Sequence, residues 1–418
     1  MTSNRGLSRF IAASGLTNLA DGVATVLWAW MATLLTRDPL LIAILPVALR
    51  LPWFVFAVPA GIVTDRVDRR RLILVMDILR ALAFSTAAIA VWLAVPLPET
   101  PDTGVSNPAL FVGLIVAALT IGCAEVFRDN AAQTMLPALV PSEGLERANG
   151  RLWSVELVGN ALIGPALGAF LLASFLPLPF ALNAFAFACA VVMVASLSGR
   201  FKPKQTQTRD WKRELKEGYA FLKTAVLLRL LAIATGVWNL LDQMVVIALV
   251  LHVQENLGMG AKAYGLILAA SAFGGIAAGF VADRIVKRFG PGQTARVASL
   301  ISGFTFLAIP FAPDAYVLAL ALMTFEFAGL TWNTVSVSYR QRRIPDRLLG
   351  RVNSLYRLLA WGMMPVGLIL SGLVLRAAET VLPRGEALMI PFYIAAIGVF
   401  VLTALIWRPL KRGFQETA

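Results

Sequence analysis

Several ionisable side chains lie inside long apolar stretches of this 418-residue sequence, and five of them are candidates for a common site: Asp21, Arg50, Glu125, Asp242 and Glu326. An ionised group in the middle of a bilayer costs several kcal/mol, so such residues are candidate functional residues by default. Asp21 lies about 18 Å of helix beyond the start of its stretch, near the middle of a membrane. Buried carboxyl groups can take up and release protons and can hold a cationic ligand. These residues therefore predict a substrate cavity, inside a membrane, that is coupled to protons.

Patterns of catalytic chemistry are missing from the sequence. We recognise no nucleophile–base set, no cluster of metal ligands and no phosphate-binding glycine loop. We therefore expect no enzyme, no metal site and no cofactor, with a proton gradient as the energy source. The net charge of +13 would suit a nucleic-acid-binding protein. The basic residues are spread along the ends of apolar stretches, however, so we expect no nucleic-acid partner.

The composition excludes a soluble domain, because only 15% of the residues are charged and 58% are hydrophobic. A soluble domain carries about 25% charged residues. Apolar stretches of about 20 residues, long enough to cross a bilayer as helices, recur along the whole chain. The sequence predicts an all-α membrane protein of about twelve transmembrane helices. The predicted spans are 9–33, 39–62, 72–95, 108–131, 150–173, 178–198, 226–252, 263–285, 294–312, 314–338, 352–376 and 389–408.

Lysine and arginine residues favour one side of these spans, which indicates the orientation of the chain through the positive-inside rule. The basic clusters lie at 66–71, 147–151, 202–229, 284–288, 340–351 and 408–412. The exceptions are Arg37, Arg50, Lys262, Arg376 and Arg384. We expect a multi-pass protein of a bacterial-type inner membrane with both termini in the cytoplasm. The N-terminus enters span 1 without a cleavage site, so we expect no removed signal peptide.

The longest predicted cytoplasmic connection, 199–225, divides the chain into two bundles of six spans each, 1–198 and 226–418. Four of its apolar side chains share one face of a helix: Trp211, Leu215, Tyr219 and Leu222. Basic residues occupy the other positions. The pattern predicts an amphipathic helix at the membrane surface, where it would tether the two bundles.

The two bundles repeat each other at three corresponding places. Asn18-Leu-Ala-Asp21 matches Asn239-Leu-Leu-Asp242, Gly61-x-x-x-Asp65-Arg66 matches Gly279-x-x-x-Asp283-Arg284, and Leu145-x-Arg147-x-Asn149 matches Leu349-x-Arg351-x-Asn353. The offsets are 221, 218 and 204 residues, and a longer outer loop in the first bundle explains the smallest one. Three matches in order predict a duplicated, pseudo-symmetric fold.

The segment Gly61-Ile-Val-Thr-Asp65-Arg66-Val-Asp68-Arg69-Arg70 resembles motif A of the major facilitator superfamily, and 279–288 is a weaker copy. The resemblance covers essentially the whole chain. Together with Glu125-x-x-Arg128-Asp129 and the stretch 136–141, it is most similar to the macrolide-type drug and enterobactin-type siderophore exporters. It implies that helices 1, 4, 7 and 10 line a central cavity, so that each of them contributes one acid.

The resemblance also implies a cytoplasmic gate. In related exporters the motif A aspartate, the arginine four residues later and an acid at the end of helix 4 form a relay, here Asp65, Arg69 and Asp129. Charge-assisted hydrogen bonds of this kind can latch helices in one state and release them in another. The other gate residues implied are Gly61, Arg66, Arg70, Gly279, Asp283 and Arg284. The alternative is that the arginines only determine topology.

Gly164-Pro165-Ala-Leu-Gly168 in span 5 resembles the antiporter motif of the same superfamily, although Asn160 and Ala169 stand where glycines are expected. Small residues let helices approach closely, and proline interrupts the helical hydrogen bonds where a bend is useful. The motif favours exchange-type transport. Glycine and proline are common in membrane helices of any function, which is the alternative interpretation.

We expect Arg50 to hold Asp21 ionised, because the two residues lie at one depth on adjacent helices. The repeat puts Leu268 where span 8 would carry a matching arginine, so Asp242 should lack a fixed cation. An opposite charge favours the ionised carboxylate, whereas burial alone favours the neutral acid. Asp242 is therefore the predicted proton carrier. Local pairs are the structural alternative: Asp77 with Arg80, Glu125 with Arg128, and Glu326 with Asn333 or a backbone group.

The function that these features favour is proton-driven efflux of an amphiphilic small molecule, such as a drug or a siderophore, by alternating access. The expected partners are this substrate, protons and membrane lipids, and we expect a monomer. An uptake carrier, a facilitator or a lysolipid flippase on the same fold is the alternative, since a fold does not determine direction. A membrane sensor that does not transport is a further alternative, but it would gain nothing from buried acids.

Overall fold

The computed structural model describes residues 2–64, 66–140, 144–199, 201–202 and 211–415. Within these ranges the chain is helical and contains no strand. Twelve of the described helical segments are long and apolar enough to cross a membrane. The prediction of an all-α fold with about twelve transmembrane helices is therefore confirmed.

Spans 1 to 6 are built from seven helices. They are α1 (Thr2–Thr33), α2 (Pro39–Thr64), α3 (Arg69–Ala94), α4 (Pro108–Met135), α5 (Leu145–Glu156), α6 (Gly164–Ser174) and α7 (Leu178–Ala195). Spans 1 to 4 correspond to α1 to α4, and span 6 corresponds to α7. Span 5 combines α5 and α6 through a π-helical segment, Leu157–Ile163.

Spans 7 to 12 follow a separate helix, α8, which precedes them in the chain. The helices are α8 (Trp211–Thr224), α9 (Val226–Leu251), α10 (Ala261–Phe289), α11 (Pro291–Ala308), α12 (Ala315–Arg343), α13 (Asp346–Trp361), α14 (Met364–Ala378), α15 (Arg384–Ala387) and α16 (Ile390–Gln415). Spans 7 to 10 correspond to α9 to α12. Span 11 combines α13 with α14, and span 12 combines α15 with α16.

Several helices begin at side chains that cap their first backbone N–H groups. The Asp68 carboxylate accepts from the Arg71 backbone N–H at 3.0 Å, so the end of the motif A segment is also the start of span 3. Asn107 caps span 4 in the same way, followed by Pro108 at the first helical position. Asp314 caps span 10 by accepting from two backbone N–H groups at 2.9 Å.

The chain forms two compact units. The first unit is Met1–Thr208 with Gly260–Ala269, and the second is Arg209–Met259 with Ala270–Ala418. The predicted connection 199–225 lies partly outside the described residues, so the predicted domain boundaries stay predictions. Within the second unit, the backbone of α8 at Gly218 lies against Arg351 of α13. Leu222 of α8 is buried in the apolar core of that unit, whereas Tyr219 is exposed.

Glycines bring corresponding helices together in both units. A Cβ at Gly122 in span 4 would overlap the carbonyl oxygen of Leu49 in span 2. A Cβ at Gly274 in span 8 would overlap the carbonyl oxygen of Met323 in span 10. The same pair of helices is thus in backbone contact in each copy, as small residues allow in membrane proteins. These contacts agree with the predicted pseudo-symmetry of the two halves.

Candidate functional site

The first unit carries a buried ion pair between span 1 and span 3. Arg80 donates a hydrogen bond to Asp21, and its side chain is completely buried. The guanidinium group also lies over the ring of Phe187 in span 6, 4.0 Å from the ring centroid. Next to this pair, Asn183 of span 6 donates to the carbonyl oxygen of Ala20 at 2.9 Å. Span 1 is therefore held at Asp21 by polar contacts from two other helices.

A second buried cation lies in span 4. Arg128 lies 3.5 Å from the Asp77 carboxylate of span 3 and donates to the Thr17 hydroxyl of span 1 at 2.8 Å. It also pairs with the neighbouring Asp129 at 3.4 Å. Asp77 is fully buried. Two anions and a hydroxyl group thus surround one guanidinium, which offsets part of the cost of burying it.

A third pair in this unit joins span 2 to span 4. Arg50 lies 3.9 Å from the Glu125 carboxylate, and 40% of the arginine side chain is exposed. This distance and exposure make a weaker pair than the buried ones. The four ion pairs together contain four carboxyl groups and three guanidinium groups, because Arg128 takes part in two of them. The first unit therefore neutralises most of its membrane-embedded charge internally.

Three predicted pairings in the first unit are wrong. Asp21 pairs with Arg80 and not with Arg50. Asp77 and Arg80 do not pair with each other. Arg80 pairs with Asp21 of span 1, and Asp77 pairs with Arg128 of span 4. Neighbouring helices supply these partners, and the spacing of residues within span 3 does not reveal them. Glu125 pairs with Arg50 and not with Arg128. The sequence analysis therefore did not identify the roles of Arg80 and Arg128. Both are charged residues inside apolar stretches, and this position alone could have marked them as candidates.

In the second unit, Asp242 of span 7 and Glu326 of span 10 lie on two helices that contact each other through the rings of Trp238 and Phe325. The Asp242 carboxylate accepts a hydrogen bond from the Gln243 amide at 3.0 Å. Among the described residues, no lysine or arginine forms an ion pair with either acid, as expected for Asp242. The predicted hydrogen bond between Glu326 and Asn333 is not formed. Glu326 is exposed, and an exposed carboxyl group inside a span requires water rather than lipid around it.

Aromatic and hydroxyl groups lie on the same two helices as these acids. Trp238 stacks on Phe325 with ring centroids 4.9 Å apart, and Phe325 is the residue before Glu326. About two or more helical turns from the acids, hydroxyl groups contact each other: Thr235 and Tyr356 at 3.0 Å and Ser336 and Tyr356 at 2.7 Å. Sequence reasoning did not find these residues, because hydroxyl and aromatic side chains are common in membrane helices.

Most of the predicted gate residues can be located. Asp65 lies outside the described residues. Arg70 donates to the Val194 carbonyl oxygen at 3.1 Å, and thereby binds the end of span 6. The described partner of Asp129 is Arg128, so the predicted relay between Asp129 and Arg69 is not formed here. Gly61 has no atom within contact distance of an added Cβ, and Arg66 is exposed.

The weaker copy of motif A makes only local contacts among the described residues. Asp283 pairs with Lys287 one turn later in span 8, and both side chains are exposed. Arg284 donates to the carbonyl oxygen of Phe280 at 3.5 Å, also within the helix. Gly279 lies near Leu330 of span 10. The gating role of this copy remains a prediction.

The antiporter-like motif lies at a close contact between span 5 and span 1. A Cβ at Gly164 would lie 2.5 Å from the Cα atom of Gly22, and a Cβ at Gly168 would lie 2.7 Å from the carbonyl oxygen of Val23. The π-helical segment ends at this point, where Gly164 donates to Gly159 and Pro165 follows.

The same segment explains why Asn160 can replace an expected glycine. Gly159 faces the backbone of span 1, and a Cβ there would lie 3.0 Å from the Leu19 nitrogen. The extra residue of a π-helical turn changes which side chains face a neighbouring helix. The glycine contact is thus kept one residue earlier in the sequence, against the backbone of Asn18 and Leu19.

Comparison with known proteins agrees with this architecture. The family model for transmembrane secretion effectors matches residues 6–410. The multidrug efflux pump Tap of Mycolicibacterium fortuitum is 26% identical over 375 residues, covering 86% of each chain. Macrolide efflux protein A of Streptococcus pyogenes is 24% identical over 340 residues, covering 77% of this chain and 78% of its own.

Among solved structures, an inward-facing bacterial homologue of the iron transporter ferroportin superposes with a TM-score of 0.73 at 16% identity, covering 98% of each chain. This likeness shows the fold alone. The predictions of the superfamily, of a multi-pass membrane protein and of a transporter rather than an enzyme are confirmed. Since the family model extends over nearly the whole sequence, the chain belongs to the transmembrane secretion effector family of the major facilitator superfamily.

Proposed function

We propose that this transporter exports amphiphilic small molecules in exchange for protons, by alternating access. The observation that carries the proposal is the pair Asp242 and Glu326, two acids on contacting helices for which the described residues supply no cation. Two carboxylates that share a site inside a membrane repel each other, so binding one proton or one cationic ligand relieves them. Substrate and proton would compete for this pair.

The first unit would contribute a structural charge rather than the proton carrier. Asp21 already has a buried arginine as its partner, and this cation favours the ionised carboxylate. Asp21 would orient span 1, and Asp242 would carry the proton. The division of roles is the one that the sequence predicts, with Arg80 in place of Arg50 as the cation at Asp21.

Two features support an amphiphilic substrate. The stacked rings of Trp238 and Phe325 provide an apolar surface beside the acids. A cationic or neutral amphiphile could contact the rings and place its polar end at the carboxyl groups. The relatives named as drug efflux pumps support the same class and the outward direction.

Proton entry supplies enough energy for such transport. One charge that moves down a potential of 100 mV yields about 2.3 kcal/mol. This corresponds to about a 50-fold concentration ratio for a neutral substrate, before any pH gradient is added. Exchange of one proton for one monovalent cation moves no net charge, so the pH gradient alone would drive it.

The proposal is tested in inside-out membrane vesicles that hold an acidic lumen. Adding ethidium should release protons from vesicles that contain the wild-type protein, and the dye should accumulate in the lumen. Vesicles with Asp242→Asn should show neither effect. Dye movement that ignores the pH gradient would indicate a facilitator, and movement in the opposite direction an uptake carrier. Transport of a fluorescent lysolipid in place of the dye would favour a flippase.

We further propose that the protein lies in the inner membrane with both termini in the cytoplasm, on the basis of its lysine and arginine distribution. Thr103→Cys and Ser198→Cys, in a chain whose Cys123 and Cys189 are replaced by serine, place thiols on opposite predicted sides. An impermeant maleimide should label only the first variant in intact cells and both variants after permeabilisation. Labelling of the second variant in intact cells would reverse the orientation.

A further inference from the structure

We propose that a basic groove between span 1 and span 5 of the first unit binds the anionic group of amphiphilic substrates. This inference rests on the proposed export function and adds a second class of substrates to the cationic and neutral amphiphiles, namely apolar molecules that carry a carboxylate or a phosphate. The groove is open and has a volume of about 780 Å³. Ser8, Ile11 and Gly15 line it from span 1, and Arg147, Arg151 and Val155 line it from span 5.

The two arginines of the groove differ from the membrane-embedded arginines described above. Arg50, Arg80 and Arg128 each lie within ion-pair distance of a carboxylate. Arg147 and Arg151 are exposed and have no carboxylate partner among the described residues. They lie four residues apart on one face of α5, where like charges destabilise a helix. A bound anion would remove this repulsion and accept hydrogen bonds from both guanidinium groups.

The internal repeat provides a control within the same chain. Arg351 is the counterpart of Arg147 in the second copy, and it is neutralised by Glu217 of α8. The backbone of α8 at Gly218 closes over it. The counterpart of Arg151, at the same offset of 204 residues, is Leu355, which packs against an apolar core.

If Arg147 and Arg151 only determined the membrane topology, a single covered arginine such as Arg351 of the second copy would be sufficient. In the first copy, no described residue covers the two guanidinium groups that border the open volume. This difference between equivalent positions points to a ligand, because a second positive charge on the same face of a helix does not stabilise the helix.

The walls of the groove determine what kind of anion fits. Ile11 and Val155 are apolar, so the groove can contact a hydrocarbon body as well as a charged end. Guanidinium groups match carboxylate and phosphate oxygens through paired hydrogen bonds. Gly15 lies about 9 Å along span 1 from Asp21, which places the groove on the same helix as the proposed cavity. The groove therefore suits the charged end of a substrate that enters along span 1.

The test uses the purified full-length protein and two fluorescent probes, dansyl-aminoundecanoate and its neutral methyl ester. Arg147→Gln with Arg151→Gln should weaken binding of the carboxylate about tenfold or more, because two charge-assisted hydrogen bonds are lost. Binding of the ester should change less than about twofold. Arg408→Gln with Arg412→Gln is the matched control, because these exposed arginines have the same spacing at the end of span 12. It should leave both affinities unchanged.

A conservative variant guards against misfolding. Arg147→Lys with Arg151→Lys should recover most of the carboxylate affinity if charge is what matters, and a thermal melting curve checks each variant. Equal weakening of the carboxylate and the ester, or no weakening of either, would overturn the proposal. Ethidium-induced proton release should persist in the glutamine variant. The binding experiment can thus refute anion binding at the groove without affecting the proposed export function. Absence of proton release in the wild type would instead refute the export function.

Reconstitution distinguishes the substrate from a lipid headgroup of the same chemistry. The carboxylate probe should bind equally well in vesicles of phosphatidylcholine alone and in vesicles that also contain phosphatidylglycerol. Competition by phosphatidylglycerol, lost in the glutamine variant, would assign the groove to an anionic lipid and overturn its assignment to the substrate.

Discussion

The two units share a fold and a set of repeated segments, yet they treat membrane-embedded charge in different ways. In the first unit three arginines meet four carboxyl groups across spans 1 to 4. In the second unit Asp242 and Glu326 lie on contacting helices, and no described lysine or arginine forms an ion pair with either of them. Duplication thus produced equivalent positions, Asp21 and Asp242, whose neighbours now differ.

This difference indicates how a duplicated transporter can separate structure from proton transfer. A carboxylate with a buried cation is held in one ionisation state, and it can anchor helices. A carboxylate without a cation can change its ionisation state at a lower cost and can respond to protons or ligands.

The largest effect is expected at Asp242. Asp242→Asn should abolish proton-coupled flux while substrate binding in detergent is retained, because the amide can accept a hydrogen bond but cannot carry a proton. Binding of ethidium to the wild type should weaken as the pH falls, since protons compete for the acids, and this pH dependence should flatten in the variant. Glu386→Gln, at an exposed acid of the same unit, is the control. A variant with full coupling would remove Asp242 from the mechanism.

A large loss of stability is expected at Asp21. Asp21→Asn leaves the buried Arg80 without its anion, and breaking a buried pair in this way costs about 3–5 kcal/mol. Combining it with Arg80→Leu should recover part of the loss, as measured by thermal unfolding in detergent.

Arg50→Leu provides the contrast within the same unit. Its pair with Glu125 is long and partly exposed, so its loss should cost about 1 kcal/mol or less. If Arg50→Leu rescued Asp21→Asn and Arg80→Leu did not, the assignment of partners would be wrong. Loss of pH-dependent binding in Asp21→Asn, with retention in Asp242→Asn, would reverse the proposed roles of the two units.

The close helix contacts should respond to substitution in the same way in both units, unlike the membrane-embedded charges. Gly164→Ala and Gly367→Ala each place a methyl group against the backbone of a neighbouring helix, span 1 and span 7 respectively. Each should destabilise the protein by about 1–3 kcal/mol. Gly113→Ala is the control, because nothing lies within 4 Å of its added Cβ. Tolerance of either variant would show that the helices can separate without cost.

The smallest effect is expected at the contact between α8 and α13. The Glu217 and Arg351 side chains are 38% and 29% exposed, so the pair contributes about 1 kcal/mol or less. Glu217→Gln should raise hydrogen exchange in α8 at low salt and have little effect at high salt, where the pair is screened. Unchanged exchange at low salt would mean that the apolar contact of Leu222 holds α8 by itself.

The sequence alone determined the spans, the duplication and the candidate charges. A span can be recognised from its own residues, because in lipid each helix must satisfy its backbone hydrogen bonds internally and present apolar side chains. Asp21, Asp242 and Glu326 could be identified for the same reason, since a charge inside an apolar stretch is visible without a partner. The absence of an arginine at Leu268 also predicted that Asp242 would lack a cation.

Only the tertiary structure decided which charges meet. Asp77 and Arg80 are three residues apart and could have paired, but packing gives each of them a partner on another helix, Arg128 and Asp21. The π-helical segment before Gly164 likewise turns Gly159 toward span 1, where the motif would place a glycine at 160. Both outcomes depend on the rotation of a helix about its axis and on the neighbour that it packs against. Neither quantity is a property of one helix, so spacing within a single span could not show them.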